Sequence, residues 1–238
     1  MNSDKSKTIY ICDDFGLDTS TDFAISELIK NKYVDGCSIL VTHLTSKINI
    51  GGKNGLHFNL TEGSPLSDPL KIASLVNREG QFYSLNQLFM RTLIGLVNIK
   101  DIETELDAQL SRFNEYCGEI NHIDGHQHIQ FLPRINRVIK LQNIRIRSGR
   151  FLASDLSFKY LVLNFFSYLY YRDKFSRNCI IDFSCKKDLD FINGKHKEFM
   201  LHVAHPELES PLHNNTSFDY KSRVEQYHRC KAAKSQRH

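Results

Sequence analysis

The chain has 238 residues, of which 41% are hydrophobic and 24% charged, with a net charge of +4. These proportions suit a soluble globular protein that buries a core, and they exclude a largely disordered chain. The charge is too mild to argue for a nucleic-acid partner, and the basic residues within 221–238 read as a solvated helix end.

Residues 1–7 are polar and hold no apolar core, so no secretory leader is expected. Residues 8–12 form a short β-rich run that stops at Asp13 and Asp14. Phe15 and Gly16 then make a turn, and Thr19 or Ser20 caps a helix with Phe23, Ala24, Leu28 and Ile29 along one side. A second strand is expected over 37–41 and a third over 55–60, with His57 inside it. The segment 61–98 is long for a connection, and long connections often carry function. Asp101 is expected to cap an amphipathic helix whose stripe is Ile102, Leu106, Leu110, Phe113 and Cys117, stopped by Gly118.

A strand over 121–124 leads into Gly125-His126-Gln127-His128. Pro133 opens the next helix, and 144–147 reads as another strand. The apolar run 158–171 is broken by Lys159 and Asn164 and is too short to span a bilayer. It reads as part of a helix over 155–171, buried or packed on a partner. Strands over 179–183 and 198–202 follow, then a helix from 218 onward. The six cysteines, Cys185 among them, form no CxxC pair and read as reduced thiols of a cytoplasmic protein. No repeat or linker divides the chain, so one domain over 1–238 is expected.

Strands alternating with helices predict an α/β fold with a parallel, helix-covered sheet. The reactive residues fall at strand ends: Asp13 and Asp14, His126 and His128, Arg147, His205. Sites in such folds lie beyond the carboxyl ends of the strands.

Two adjacent carboxylates repel, and a divalent cation relieves the strain, one binding the metal while its neighbour serves as general base. A helix N-cap pair accounts for Asp13 and Asp14 equally well. His57, alone in an apolar strand, reads more readily as a hydrogen-bonded core residue. The run Asp124-Gly125-His126-Gln127-His128 favours metal binding, because two imidazoles and a carboxylate leave open coordination positions. His205 precedes Pro206, which holds it extended, although by itself it reads as a turn residue. Arg145 and Arg147 share one side of their strand, either anchoring an aspartate or lying at the surface.

Several segments together resemble the YdjC-type carbohydrate deacetylase family. They are Cys12-Asp13-Asp14-Phe15-Gly16-Leu17, Gly55-Leu56-His57-Phe58-Asn59-Leu60-Thr61-Glu62-Gly63-Ser64-Pro65-Leu66, His122-Ile123-Asp124-Gly125-His126-Gln127-His128 and His205-Pro206. The resemblance implies a variant (β/α) barrel that removes acetyl groups from N-acetylated sugars with one bound divalent metal, usually magnesium. It implies Asp14, His57 and His126 as metal ligands, Asp13 as the base and His205 as acid or oxyanion partner. Arg147 would pin Asp13, and His128 would orient substrate or support His126. Phe82, Tyr83 and Phe89 are candidates to stack on sugar rings, and the family habit together with the 158–171 helix points to a homodimer. Imidazole and carboxylate ligands suit Zn2+, Mn2+ or Co2+ as well as Mg2+.

The chain departs from the family pattern at Cys12, where alanine is usual, at Glu207, where glycine is typical, and at Gln130, often histidine. It also ends in a basic helical stretch where relatives usually add a strand, which leaves the barrel incomplete at that end. Two other readings follow from the same residues. A metal-dependent phosphoesterase would need basic clamps, for which only Arg145 and Arg147 qualify. An inactive sugar-binding or scaffold protein would fit the altered C-terminus.

Overall fold

Short apolar runs become strands and long amphipathic stretches become helices in the computed structural model, which describes residues 8–152, 158–183, 196–208 and 220–235. In chain order the elements are β1 (Thr8–Phe15), α1 (Thr19–Lys30), β2 (Gly36–Ile39), β3 (Gly55–Phe58), α2 (Leu85–Leu93) and α3 (Ile99–Cys117). Then come β4 (His122–Gly125), α4 (Ile135–Leu141), β5 (Arg150–Leu152), α5 (Phe158–Tyr170), α6 (Arg172–Arg177), β6 (Asn178–Asp182), β7 (His196–Leu201) and α7 (Tyr220–Ser235). They divide into two compact units, residues 1–37 with 148–238, and residues 38–147.

In the first unit β1 pairs with β7, β7 with β6 and β6 with β5, every pair parallel. Parallel neighbours need crossover connections, which is why helices intervene, and strands covered by helices read as continuous apolar runs. Ile11, Cys12, Cys179, Ile181, Met200 and Leu201 are accordingly fully buried, with Ala24, Ile25 and Leu28 of α1. The register pairs Cys12 with Leu201, so Asp13 and Asp14 come just past the last residue of β1 that pairs with β7.

The second unit pairs Ser38 and Ile39 of β2 with β3, and β3 with β4, again in parallel. Helix α3 lays Ile102, Leu106 and Phe113 into its core beside Leu56, Phe58 and Ile123. Segment 61–98 carries a short 3-10 turn at Pro69–Lys71 and then α2.

The α/β class and the parallel strands match the expectation from sequence, with local corrections. Helix α1 is capped by Asp18, whose carboxylate accepts the Thr21 N–H, not by Thr19 or Ser20. Helix α3 is capped by Asn98, and Asp101 sits in its first turn, where it accepts the Ser74 N–H. Residues 144–147 do not form a continuous strand. Ile146 makes an isolated parallel bridge to Ile123, and β5 follows at Arg150–Leu152.

The C-terminal helix is not a solvated end. Arg223, Gln226, Tyr227 and Cys230 are buried at the spacing of one helix face. Among the described residues no strand follows β7. Residues 1–7, Cys185, the expected helix starts at 155 and 218, and residues 236–238 lie outside the described residues.

Candidate metal centre

In the second unit β3 and β4 lie side by side with His57 opposite Asp124. His57 Nδ1 is 2.7 Å from Asp124 Oδ1, and both side chains are buried. A carboxylate only accepts, so Nδ1 carries a proton, and in the neutral ring Nε2 then carries the lone pair. Asp124 also accepts from Ser38 Oγ at 2.8 Å and pairs with Arg147 Nη1 at 2.5 Å. Burial alone would push the Asp124 carboxyl up. The Arg147 charge, the His57 charge and hydrogen bond, and His122 together outweigh burial and hold it well below the usual carboxylate range. Ser38 gives its one proton to Asp124, so His122 Nε2, 3.0 Å from Ser38 Oγ, is the donor of that contact.

His126 begins the tight turn after β4. A Cβ at Gly125 would lie 2.7 Å from both Gln130 Oε1 and Ile129 Cγ1, so the turn admits no side chain there. Gln127 and His128 follow with φ of 53° and 64°, a left-handed pair of non-glycine residues of the kind that stores strain at functional sites. His126 Nε2 is 2.8 Å from Glu62 Oε2. The rings of His57 and His126 stand 5.2 Å apart at 77°. His128 is buried in the same turn, and Arg147 is fully buried in its pairing with Asp124.

The first unit carries Asp13 and Asp14 at the end of β1, both buried. Asp14 has φ of 70°, a left-handed conformation that aspartate tolerates better than most residues. Arg223 of α7 reaches it, Nη2 to Oδ2 at 2.9 Å. Just beyond, Gly16 donates its N–H to Asp22 Oδ1 at 2.5 Å. Burial pushes Asp22 up to about 6, against the pull of the Gly16 N–H and with the repulsion of Asp18.

His205 is held between α1 and α7. Its N–H donates to Ser20 Oγ at 3.0 Å, and its carbonyl accepts the Tyr220 hydroxyl at 2.7 Å. Ring Nδ1 accepts the Glu207 N–H at 3.3 Å, and Nε2 lies 3.7 Å from Glu27 Oε2. Lys231 and Tyr227 also bond to Glu27 and hold its carboxyl below the ordinary value.

His57 and His126 of the second unit and Asp14 of the first are each buried, and imidazole and carboxylate are donor types that suit a divalent cation. The His57–Asp124 pair is the observation that fits a metal best. A histidine ligand ordinarily donates its other ring N–H to a carboxylate, which fixes the tautomer and orients the ring. Within its own unit Arg147 pairs with Asp124.

Three residues of these surroundings carry no separate role in the sequence reading: Asp124 and Glu62, which stand there only within longer motifs, and Arg223. Asp124 was signalled by a carboxylate inside a buried strand. Arg223 was signalled by the face it shares with Gln226, Tyr227 and Cys230. Glu62 carried no local signal.

Residues 8–234 match the family model described as YdjC-like protein. The chain is 32% identical to a carbohydrate deacetylase of Danio rerio over 147 residues, 58% of this chain and 46% of the relative. It is 34% identical to a carbohydrate deacetylase of Mus musculus over 140 residues, 56% of this chain and 45% of the relative. It is 31% identical to a chitooligosaccharide deacetylase of Serratia marcescens over 143 residues, 54% of this chain and 52% of the relative. The matched stretch thus spans about half the length of these curated relatives. A solved structure from Enterococcus faecalis, described provisionally as a cellobiose-phosphate cleavage protein, superimposes with a TM-score of 0.70 over 98% of this chain and 95% of that one. At 18% identity this likeness shows a shared fold and nothing of the reaction.

Proposed function

Because the chain belongs to the YdjC-like protein family, we propose that it is a metal-dependent carbohydrate deacetylase, hydrolysing the acetamido group of an N-acetylated sugar. The observation that carries the reading is the buried His57–Asp124–Arg147 cluster, in which one imidazole is oriented by a carboxylate that is itself charge-balanced. The named deacetylases among the relatives support the substrate class. A single family match over 8–234 supports treating both units as one deacetylase domain. The phosphoesterase reading is the weaker one, since Arg147, one of its two candidate clamps, is committed to Asp124.

Asp14, His57 and His126 are the proposed ligands of one divalent cation, Mg2+ by family resemblance, with Zn2+, Mn2+ and Co2+ suited to the same donors. When bound, that cation would polarise the acetyl carbonyl and acidify the attacking water. Asp13 takes a proton from that water as it attacks. His205 hands a proton to the departing nitrogen, because an amine anion is too basic to leave unassisted. His128, in the left-handed turn with His126, supports that ligand or contacts substrate. Arg147 keeps Asp124 ionised and so keeps His57 in one tautomer.

We place the reaction in the cytoplasm and the active form as a homodimer, with Leu161, Phe165, Tyr168 and Leu169 of α5 exposed as its contact. Among the described residues no helix is long and apolar enough to cross a membrane. Acetate release from N-acetylglucosamine oligomers, measured alongside metal content, tests the whole reading. Asp13→Asn should keep the metal and lose turnover, while His57→Ala and His126→Ala should lose both. Turnover by Asp13→Asn would remove the base assignment, and phosphatase activity without acetate release would favour the rival.

A further inference from the structure

Two carboxylate–imidazole pairs stand side by side in the second unit, and only His57–Asp124 lies wholly in the core. The other joins His126 Nε2 to Glu62 Oε2 at 2.8 Å, with the Glu62 side chain 39% exposed. An exposed ion pair of this kind contributes little by itself and would ordinarily be dismissed as a surface contact. The main chain of Glu62 argues otherwise. Its N–H donates to Asn59 Oδ1 at 3.1 Å, and its carbonyl accepts from Asn59 Nδ2 at 2.7 Å. Asn59 Oδ1 also takes the Thr61 N–H at 3.0 Å.

Asn59 is itself clamped. Its N–H donates to Gln109 Oε1 at 3.1 Å, and its carbonyl accepts Gln109 Nε2 at 2.7 Å. Gln109 Nε2 also donates to Glu105 Oε1 at 2.8 Å, and Glu105 takes the N–H groups of Leu66 and Ser67. Asn59, Glu105 and Gln109 are fully buried. Buried polar groups of this density cost stability unless satisfied, and here they are satisfied by gripping one turn. That turn presents Glu62.

We infer that Glu62 is a positioning residue for His126: its carboxylate holds the ring proton on Nε2 and so makes Nδ1 the nitrogen offered to a metal ion. A carboxylate has no proton to give, so the 2.8 Å contact requires the imidazole to be the donor at Nε2. His57 is held the opposite way, with its proton on Nδ1. The two rings therefore present different nitrogens, one close to its main chain and one far from it. The inference rests on the proposed ligand role of His126 and adds which atom serves and what selects it.

The test uses the full-length, 15N-labelled protein free of metal at mildly alkaline pH, with long-range 1H–15N correlation of the imidazoles, and then Mn2+ titration by calorimetry. The wild type should show His126 protonated on Nε2 and His57 on Nδ1. Glu62→Ala should turn His126 into a tautomer mixture and weaken Mn2+ binding about tenfold, with the His57 signature unchanged as evidence of an intact fold. Glu62→Gln, which still offers an acceptor oxygen, should restore the Nε2 tautomer and most of the affinity.

Wild-type His126 protonated on Nδ1 overturns the inference, and this measurement decides the matter even where Glu62→Ala does not fold. Mn2+ affinity unchanged by Glu62→Ala but lost in His126→Ala overturns the inference alone. Mn2+ affinity unchanged in His126→Ala overturns the ligand assignment, and the inference with it.

Discussion

Asp22 is the group whose charge the fold resists, and Asp22→Asn removes that charge with little change of shape. The residue sits in the first turn of α1 with its Oδ1 on the Gly16 N–H at 2.5 Å. Burial lifts its carboxyl from the ordinary 3.8 to about 6, the Gly16 N–H pulling back and Asp18 adding to the rise. A folded-state value above the unfolded one means that the contribution to stability is fully present below 3.8 and is lost as pH rises through about 6.

At neutral pH the folded protein therefore carries a charge at a net cost. Each pH unit is worth about 1.4 kcal/mol, which sets a ceiling of about 3 kcal/mol. The carboxyl keeps partial contact with water, and screening reduces the expected cost to about 1 kcal/mol. Asparagine keeps an acceptor for Gly16 and cannot ionise. In urea unfolding followed by circular dichroism, Asp22→Asn should be about 1 kcal/mol more stable than wild type near pH 7.5, the two converging near pH 4. A gain that is the same at both pH values would refute the reasoning. So would a loss near pH 7.5, which would mean that the Gly16 turn needs the full charge.

Asp124→Ala removes the buried carboxylate paired with the Arg147 guanidinium and should cost about 3–5 kcal/mol in chemical denaturation. Because Asp124 is held below its ordinary value, its contribution is full above 3.8 and drains as pH falls below that. The variant should accordingly lose the steepest part of the acid-unfolding limb, and an unchanged limb would contradict the ion-pair assignment. Arg223→Met removes the guanidinium paired with buried Asp14, and the metal-free protein should lose about 2–4 kcal/mol. Saturating Mn2+ should narrow that gap, and a thermal-melt difference that is equal with and without Mn2+ would count against Asp14 as a ligand. Leu161→Glu with Phe165→Glu should leave the melting temperature nearly unchanged and halve the mass measured by light scattering. A mass equal to that of wild type would remove α5 as the dimer contact.

Much of the fold could be read from apolar runs and turn residues, because a parallel strand buried on both faces is a short apolar run whatever surrounds it. The run 8–12 became β1, and the stripe from Ile102 to Phe113 became the buried face of α3. Failures came where polar residues are buried by partners far along the chain. Arg147 made 144–147 look like an ordinary alternating strand, whereas its guanidinium is drawn inward by Asp124. Arg223 made α7 look solvated because its partner stands 209 residues away. The caps of α1 and α3 were misassigned by one to three positions, since several Asx, Ser and Thr residues competed for each.

The candidate ligands were legible only as residue types. His57 read as a core histidine, and its pairing with Asp124 depends on a strand register that no local pattern announces. Glu62 depends on a chain of contacts running through Asn59 and Gln109, two polar residues whose burial the sequence gives no reason to expect.

The unit holding the histidines is one uninterrupted stretch, residues 38–147, whereas the unit holding the aspartates is stitched from both ends of the chain. This sets an order of events during synthesis. A nascent chain that has released its first 147 residues already contains every side chain of the His57–Asp124–Arg147 cluster. Its Asp14 must wait for β7, which flanks β1, and for Arg223, which arrives after a further 76 residues. Long-range pairings of this sort form late. The surroundings of Asp14 are therefore among the last parts of the protein to be completed.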